Sequence, residues 1–132
     1  MNETAKLIAI NKTGEFLLTQ RDGEAEWGFL GTTIEEGESP QEAIERGIKE
    51  EINVNIALYL RFKKYLLGEN TEHVYFMILE VDPLSTFCEH GLLDYFPKDE
   101  ILEVDLELRS REILKDFFEK FHGSKIQPTL FK

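Results

Sequence analysis

Apolar positions along the chain recur with two periods, and the switches between them predict its elements. Ala5 to Ile10 is a short apolar run, Asn11-Lys12-Thr13-Gly14 has the composition of a turn, and Glu15 to Arg21 reads as the second arm of a hairpin. Gly28, Gly31 and Gly37 are interleaved with Trp27, Phe29, Leu30 and Ile34. That mixture predicts a loop with short extended pieces, anchored by its apolar side chains. The period then becomes helical, with Ala43, Ile44, Gly47 and Ile48 as the buried stripe. Ser39 suits the N-cap, Pro40 the first helical position, and Glu42 stands where a capping box needs it. The spacing predicts a helix over 40–52 that stops at Asn53.

From Val54 the period is two. Val54, Ile56, Leu58, Leu60 and Phe62 are expected on one face of a strand, with Arg61 and Lys63 among those on the other. Gly68-Glu69-Asn70 turns the chain into His73 to Val81, apolar on both faces and therefore expected inside a sheet. Residues 83–92 read as a loop, Leu93 to Phe96 as a short strand, and Pro97 as the opening of a brief helix through Leu102. Ser110 is expected to cap a last helix whose buried stripe is Ile113, Leu114, Phe117, Phe118 and Phe121, with Gly123 as its stop. We expect one domain over 1–123 and a tail over 124–132. The element order predicts an α/β (α+β) sandwich with a mixed β-sheet.

Charge narrows the functions open to such a domain. The chain has 132 residues, with 15 Lys+Arg against 26 Asp+Glu, a formal net charge of -11. That balance disfavours nonspecific binding to nucleic acid or to an anionic membrane, since phosphates would be repelled. Bound cations can invert the balance locally and admit a phosphate compound. Cys88 is the single cysteine, which excludes an internal disulfide framework and a Cys-based zinc cage. This usage fits a reducing cytosol, so a cytoplasmic protein is expected. No apolar run approaches the ~20 residues that span a bilayer.

Residues 27–54 read WGFLGTTIEEGESPQEAIERGIKEEINV. Glu38, Arg46, Ile48, Glu50, Glu51 and Val54 keep the spacing of a motif written G-x5-E-x7-R-E-U-x-E-E-x-G-U, where U is a bulky aliphatic residue. Thr32, Gly47 and Asn53 depart from it, so six of nine fixed positions match. In this motif, in the Trp27 to Glu38 lead-in and in the late segment Gly91 to Ile101, the sequence resembles the Nudix hydrolase (MutT-like) family. The resemblance implies a Nudix-type α/β/α sandwich and a Mg2+- or Mn2+-dependent pyrophosphohydrolase. It also implies hydrolysis of the diphosphate of a nucleoside diphosphate linked to another moiety. Where that family carries a glutamate that is a metal ligand and sometimes the general base, this chain has Gly47.

Physical chemistry supports part of that reading independently. Positions 47, 50 and 51 share one helical face, and carboxylates there, with Glu38 approaching from the preceding loop, suit hard divalent cations. Mg2+ needs only one or two protein carboxylates beside water and substrate phosphate, so Glu50 and Glu51 are a credible site. Glu38 is expected as a further metal ligand or as a group that orients one, and Arg46 as the residue that holds Glu38 or Glu42. A solvated acidic face with pairs such as Glu42–Arg46 and Glu45–Lys49 explains the same residues without a metal. The resemblance makes Glu89 the candidate general base, with neighbouring His90 able to act instead; both residues also suit plain decoration of an exposed loop. His73 and His122 lack ligand partners at metal spacing. The partner expected is a small nucleotide-type molecule, not nucleic acid or membrane, and a homodimer is compatible with the sequence. Gly47, Thr32 and Asn53 motivate a second function class, a catalytically impaired Nudix-fold module that binds a nucleotide or a partner.

Overall fold

Asn11 builds the first turn. Its Oδ1 accepts from the Thr13 amide at 3.1 Å, the Thr13 hydroxyl at 2.9 Å and the Glu15 amide at 2.8 Å, an arrangement that short polar side chains offer in turns. The computed structural model describes residues 2–56, 58–79 and 91–121, and the backbone of 87–88. The turn joins strand β1 (Glu3–Ile10) to β2 (Phe16–Arg21), yet the expected hairpin pairs only at Ile10 and Phe16. Beyond that point the strands part. β1 runs parallel to β5 (Asn70–Ile78) over eight residues and antiparallel to β3 (Leu30–Thr33), whereas β2 pairs with β7 (Gly91–Phe96). A strand apolar on both faces belongs in a sheet interior, and β1 takes that place.

With β4 (Leu60–Leu67) on one edge and β6 (Phe87–Cys88) on the other, the mixed sheet has seven strands in the order β4-β5-β1-β2-β7-β6, β3 pairing with β1. Alternate residues of β1 serve two cores. Ile8 and Ile10 join Phe16, Val74 and Phe76 in packing against Ile113, Leu114, Phe117 and Phe121 of α3 (Leu108–Phe121). Leu7 and Ala9 join Leu17 and Tyr75 in packing against Ile44 and Ile48 of α1 (Pro40–Ile52). The result is a helix–sheet–helix sandwich of the α+β class, as expected. Pro97 opens the brief helix α2 (Lys98–Ile101). No helix among the described residues is long and apolar enough to cross a membrane.

The expected loop over 83–92 instead contains strand β6 and the start of β7, which pair at Phe87 with Leu92 and Cys88 with Gly91. Two further expectations fail, each for a local reason. Val54, Ile56, Leu58 and Tyr59 lie outside any strand, and β4 begins only at Leu60. A bulge between Arg61 and Lys63 leaves Phe62 unpaired and turned into the core against Phe117, at 5.5 Å between ring centroids. Because a one-residue slip exchanges the faces of a strand, Leu60 is 62% exposed despite its alternation with Phe62, while Leu58, outside the strand, is 88% exposed. Ser110, expected as an N-cap, lies inside the first turn of α3. Its hydroxyl donates to Glu107 at 2.8 Å and accepts the Phe29 amide at 3.2 Å, tying that helix to the loop beneath the site. The expected stop at Gly123 and the tail 124–132 lie outside the described residues.

Candidate active site

The start of α1 is fixed before any site chemistry is added. Ser39 Oγ accepts the Glu42 amide at 3.0 Å, and Glu42 Oε1 accepts the Ser39 amide at 2.8 Å. This is the predicted capping box, and it occupies Glu42. Asn53 ends the helix in the left-handed conformation, φ 58° and ψ 38°, which asparagine tolerates in place of glycine.

Arg46, one helical turn past Glu42, therefore turns to Glu38. Its Nε donates to Glu38 Oε2 at 2.6 Å and its Nη2 to Glu38 Oε1 at 3.0 Å, a two-pronged pair. The same guanidinium reaches the Thr33 carbonyl at 2.9 Å and Glu50 Oε1 at 2.9 Å. One cation thus locks the loop, strand β3 and the next helical turn together. The Arg46 hydrogen bonds, helped by the Glu35 amide, hold the Glu38 carboxyl below its ordinary value of 4.5. A depressed folded-state pKa stabilises the fold above the unfolded value and loses that effect as pH falls through the folded value. Arg46→Met is therefore expected to lower stability more at pH 7 than near pH 3, because the Glu38 contribution fades as pH falls through its depressed folded-state value. Urea denaturation of the two at both pH values measures this; equal losses at both would dismiss the clamp.

Glu50 and Glu51 line a cleft of about 250 Å³ with Arg21, Thr32, Glu35 and Arg46. The helix face also carries the main departure from the motif. A Cβ on Gly47 would lie 2.7 Å from both Cβ and Cγ2 of Thr32. Thr32 is itself a departure, standing where the motif has glycine. The two changes are complementary: the strand side chain fills the space the helix side chain gives up. Glu89 and His90 lie outside the described residues.

Whether this cleft suits a divalent cation can be judged from its donors. Both Glu38 oxygens and one Glu50 oxygen are engaged by Arg46, and position 47 offers no ligand. Among the described residues no group of three or more Asp, Glu, His or Cys side chains forms a ready-made cage. Mg2+ is commonly held by one or two carboxylates together with substrate phosphate, and Glu50 and Glu51 meet that smaller demand. The donor set fits a cation shared between these two carboxylates and a substrate diphosphate.

A second cavity, of about 150 Å³, shares Arg21, Gly31, Thr32 and Thr33 with the cleft. Lys6 crosses it to Glu107 at 2.5 Å and lies 3.8 Å from Glu72, a nearly buried carboxylate that also accepts from Thr4 at 3.1 Å. Burial opposes the charge of Glu107, but Lys6, Ser110 and Arg21 outweigh it and keep the carboxyl below its ordinary range. A Cβ at Gly28 would fall 2.8 Å from that carboxyl, so this glycine makes room for it. Trp27 holds the loop in place, its ring 5.0 Å from that of Phe96 and its backbone bonded to Asp105 and Glu107. None of these charged residues stands out by motif. The available signal was a lysine inside the apolar run of β1.

Comparison with known proteins agrees with this architecture. The NUDIX domain model matches residues 2–117. A structure from work on MutT of Aliivibrio salmonicida and Vibrio cholerae superposes with a TM-score of 0.80 at 18% identity, over 91% of this chain and 98% of that one. The NUDIX domain of Shewanella oneidensis NrtR, complexed with ADP ribose, gives 0.74 at 15% identity, over 90% and 87%. The E. coli dihydroneopterin triphosphate pyrophosphohydrolase gives 0.74 at 16%, over 89% and 95%. No curated protein sequence matches. Such identities speak for the fold alone. The family-model match, which spans most of the chain, makes the protein a member of the NUDIX family.

Proposed function

We propose that the protein is a divalent-metal-dependent pyrophosphohydrolase acting on a nucleoside diphosphate linked to another moiety. The observation that carries this reading is the Arg46 clamp, which ties Glu50 to Glu38 and sets Glu50 beside Glu51 in an open cleft. Glu50 and Glu51 are the residues that would hold Mg2+ or Mn2+. When bound, the cation neutralises the diphosphate and acidifies a water. Arg21 lines both cavities and supplies a positive charge where a diphosphate would cross between them. Arg46 orients Glu50 and keeps Glu38 ionised. Glu89 remains the proposed base. Attack by water forms a new phosphorus–oxygen bond and breaks the bridging one, and the leaving phosphate carries away the electron pair. The ADP ribose of one structural neighbour is a compound of this class, and the dihydroneopterin triphosphate of another shares its phosphoanhydride.

The test is product release from nucleoside triphosphates, dinucleoside polyphosphates, nucleotide sugars and ADP ribose, with Mg2+ or Mn2+ and with EDTA. Turnover that EDTA abolishes is expected. One observation favours a second reading, a binding module: Thr32 occupies the place of the missing carboxylate. No turnover on any compound, with nucleotide binding still seen by calorimetry, would establish that reading instead.

A further inference from the structure

Four carboxylates, Glu24, Glu26, Glu72 and Glu107, face two cations, Lys6 and Arg21, in the cavity beside the cleft. A phosphate is disfavoured there, whereas a neutral group rich in N–H donors is favoured. Lys6 and Ser110 both bond Glu107 through Oε1, and no hydrogen bond reaches Oε2 among the described residues. The cavity therefore presents a donor at Lys6 Nζ and then Glu107 Oε2, whose two lone pairs can take two donors while Oε1 stays engaged by Lys6 and Ser110. The complementary edge reads acceptor, donor, donor. Among the common bases only guanine presents it, with O6, N1–H and the 2-amino group in that order; adenine lacks the carbonyl, cytosine has an acceptor where the ring N–H is needed, and uracil lacks the second donor. A reduced pterin carries the same 2-amino-4-oxo edge.

Resting on the hydrolase reading for the position of the diphosphate, we propose that Lys6 and Glu107 are the specificity-determining pair, selecting substrates with a 2-amino-4-oxopyrimidine edge. Lys6 donates to the ring carbonyl, and Glu107 accepts from the ring N–H and the amino group. Gly28 leaves the carboxylate its space, and Ser110 fixes its orientation.

Calorimetry with the α,β-methylene forms of GTP, ITP and ATP in Mg2+ tests this without turnover. ITP lacks only the 2-amino group. A hydrogen bond to a charged acceptor makes the GTP form bind about tenfold tighter or more. Glu107→Gln is expected to bring that ratio near one. Lys6→Met is expected to weaken the GTP and ITP forms alike and to preserve their ratio, a split that a merely structural role would not produce. Competition by 7,8-dihydroneopterin triphosphate then tells a pterin from a guanine substrate, since the ring that displaces the other is the one the cavity prefers. A GTP-to-ITP ratio near one in the wild-type protein overturns the proposal, even with hydrolysis intact. A preserved ratio without hydrolysis overturns the hydrolase reading and leaves the pair assigned.

Discussion

Gly47→Glu alone is expected to destabilise the protein by about 1–3 kcal/mol and to leave turnover no higher, although it restores the motif residue. The Cβ it adds would meet Cβ and Cγ2 of Thr32 at 2.7 Å. Those atoms cannot swing aside, because Thr32 is β-branched, sits in β3 and is fixed at its backbone. Thr32→Gly removes both. The double change Thr32→Gly with Gly47→Glu is therefore expected to recover the stability and add a carboxylate on the face of Glu50 and Glu51. A rise in metal-dependent turnover of at least ~tenfold would follow. Alanine gives a cleaner sign. In an unobstructed helix Gly→Ala stabilises by up to ~1 kcal/mol, so Gly47→Ala should stabilise in the Thr32→Gly background and destabilise in the wild type. Urea midpoints for the four proteins give the coupling, expected near ~2 kcal/mol. Additive effects would dismiss the pairing, and a Gly47→Glu protein that gained turnover on its own would show that β3 yields.

The same two residues mark how far the sequence could be read. Local rules suffice for α1, because its cap, its stripe and its stop are written within fifteen consecutive residues, and the structure reproduces all three. β5 is legible for the same reason: two apolar faces require a place inside the sheet. Long-range pairing is where the reading ends. β1 and β2 look like a hairpin because a turn joins them, but β3 takes that edge of β1 from Thr4 to Leu7 and leaves β2 only the pair Ile10 and Phe16. The bulge at Phe62 defeats the alternation at β4, since nothing local announces a skipped residue. At the site, Glu38, Arg46, Glu50 and Glu51 keep motif spacing, and three of them meet in one clamp. Lys6, Glu72 and Glu107 share no spacing at all. They come from β1, β5 and the approach to α3, and only the sheet order brings them to one cavity.

Glu51→Gln is expected to lower kcat by about 10²–10³-fold while moving the metal-free Tm by no more than ~2 °C. If Glu50 and Glu51 hold the cation as proposed, losing one of them removes several kcal/mol of transition-state stabilisation, at about 1.4 kcal/mol for each tenfold. The fold has less to lose. Glu51 is half-buried on the cleft side of α1, and glutamine keeps its size and its reach for hydrogen bonds. The informative comparison is thermal unfolding with and without Mg2+ plus nucleotide. A ligand that binds only the folded state raises Tm through its occupancy, so the wild-type protein should gain and the variant should gain much less. Glu50→Gln should lose the same increment and, in addition, one of the Arg46 contacts, so its metal-free Tm should fall further than that of Glu51→Gln. Full turnover in Glu51→Gln would remove the cation from this helix face. A large metal-free loss of Tm in that variant would instead make the carboxylate a brace for the helix.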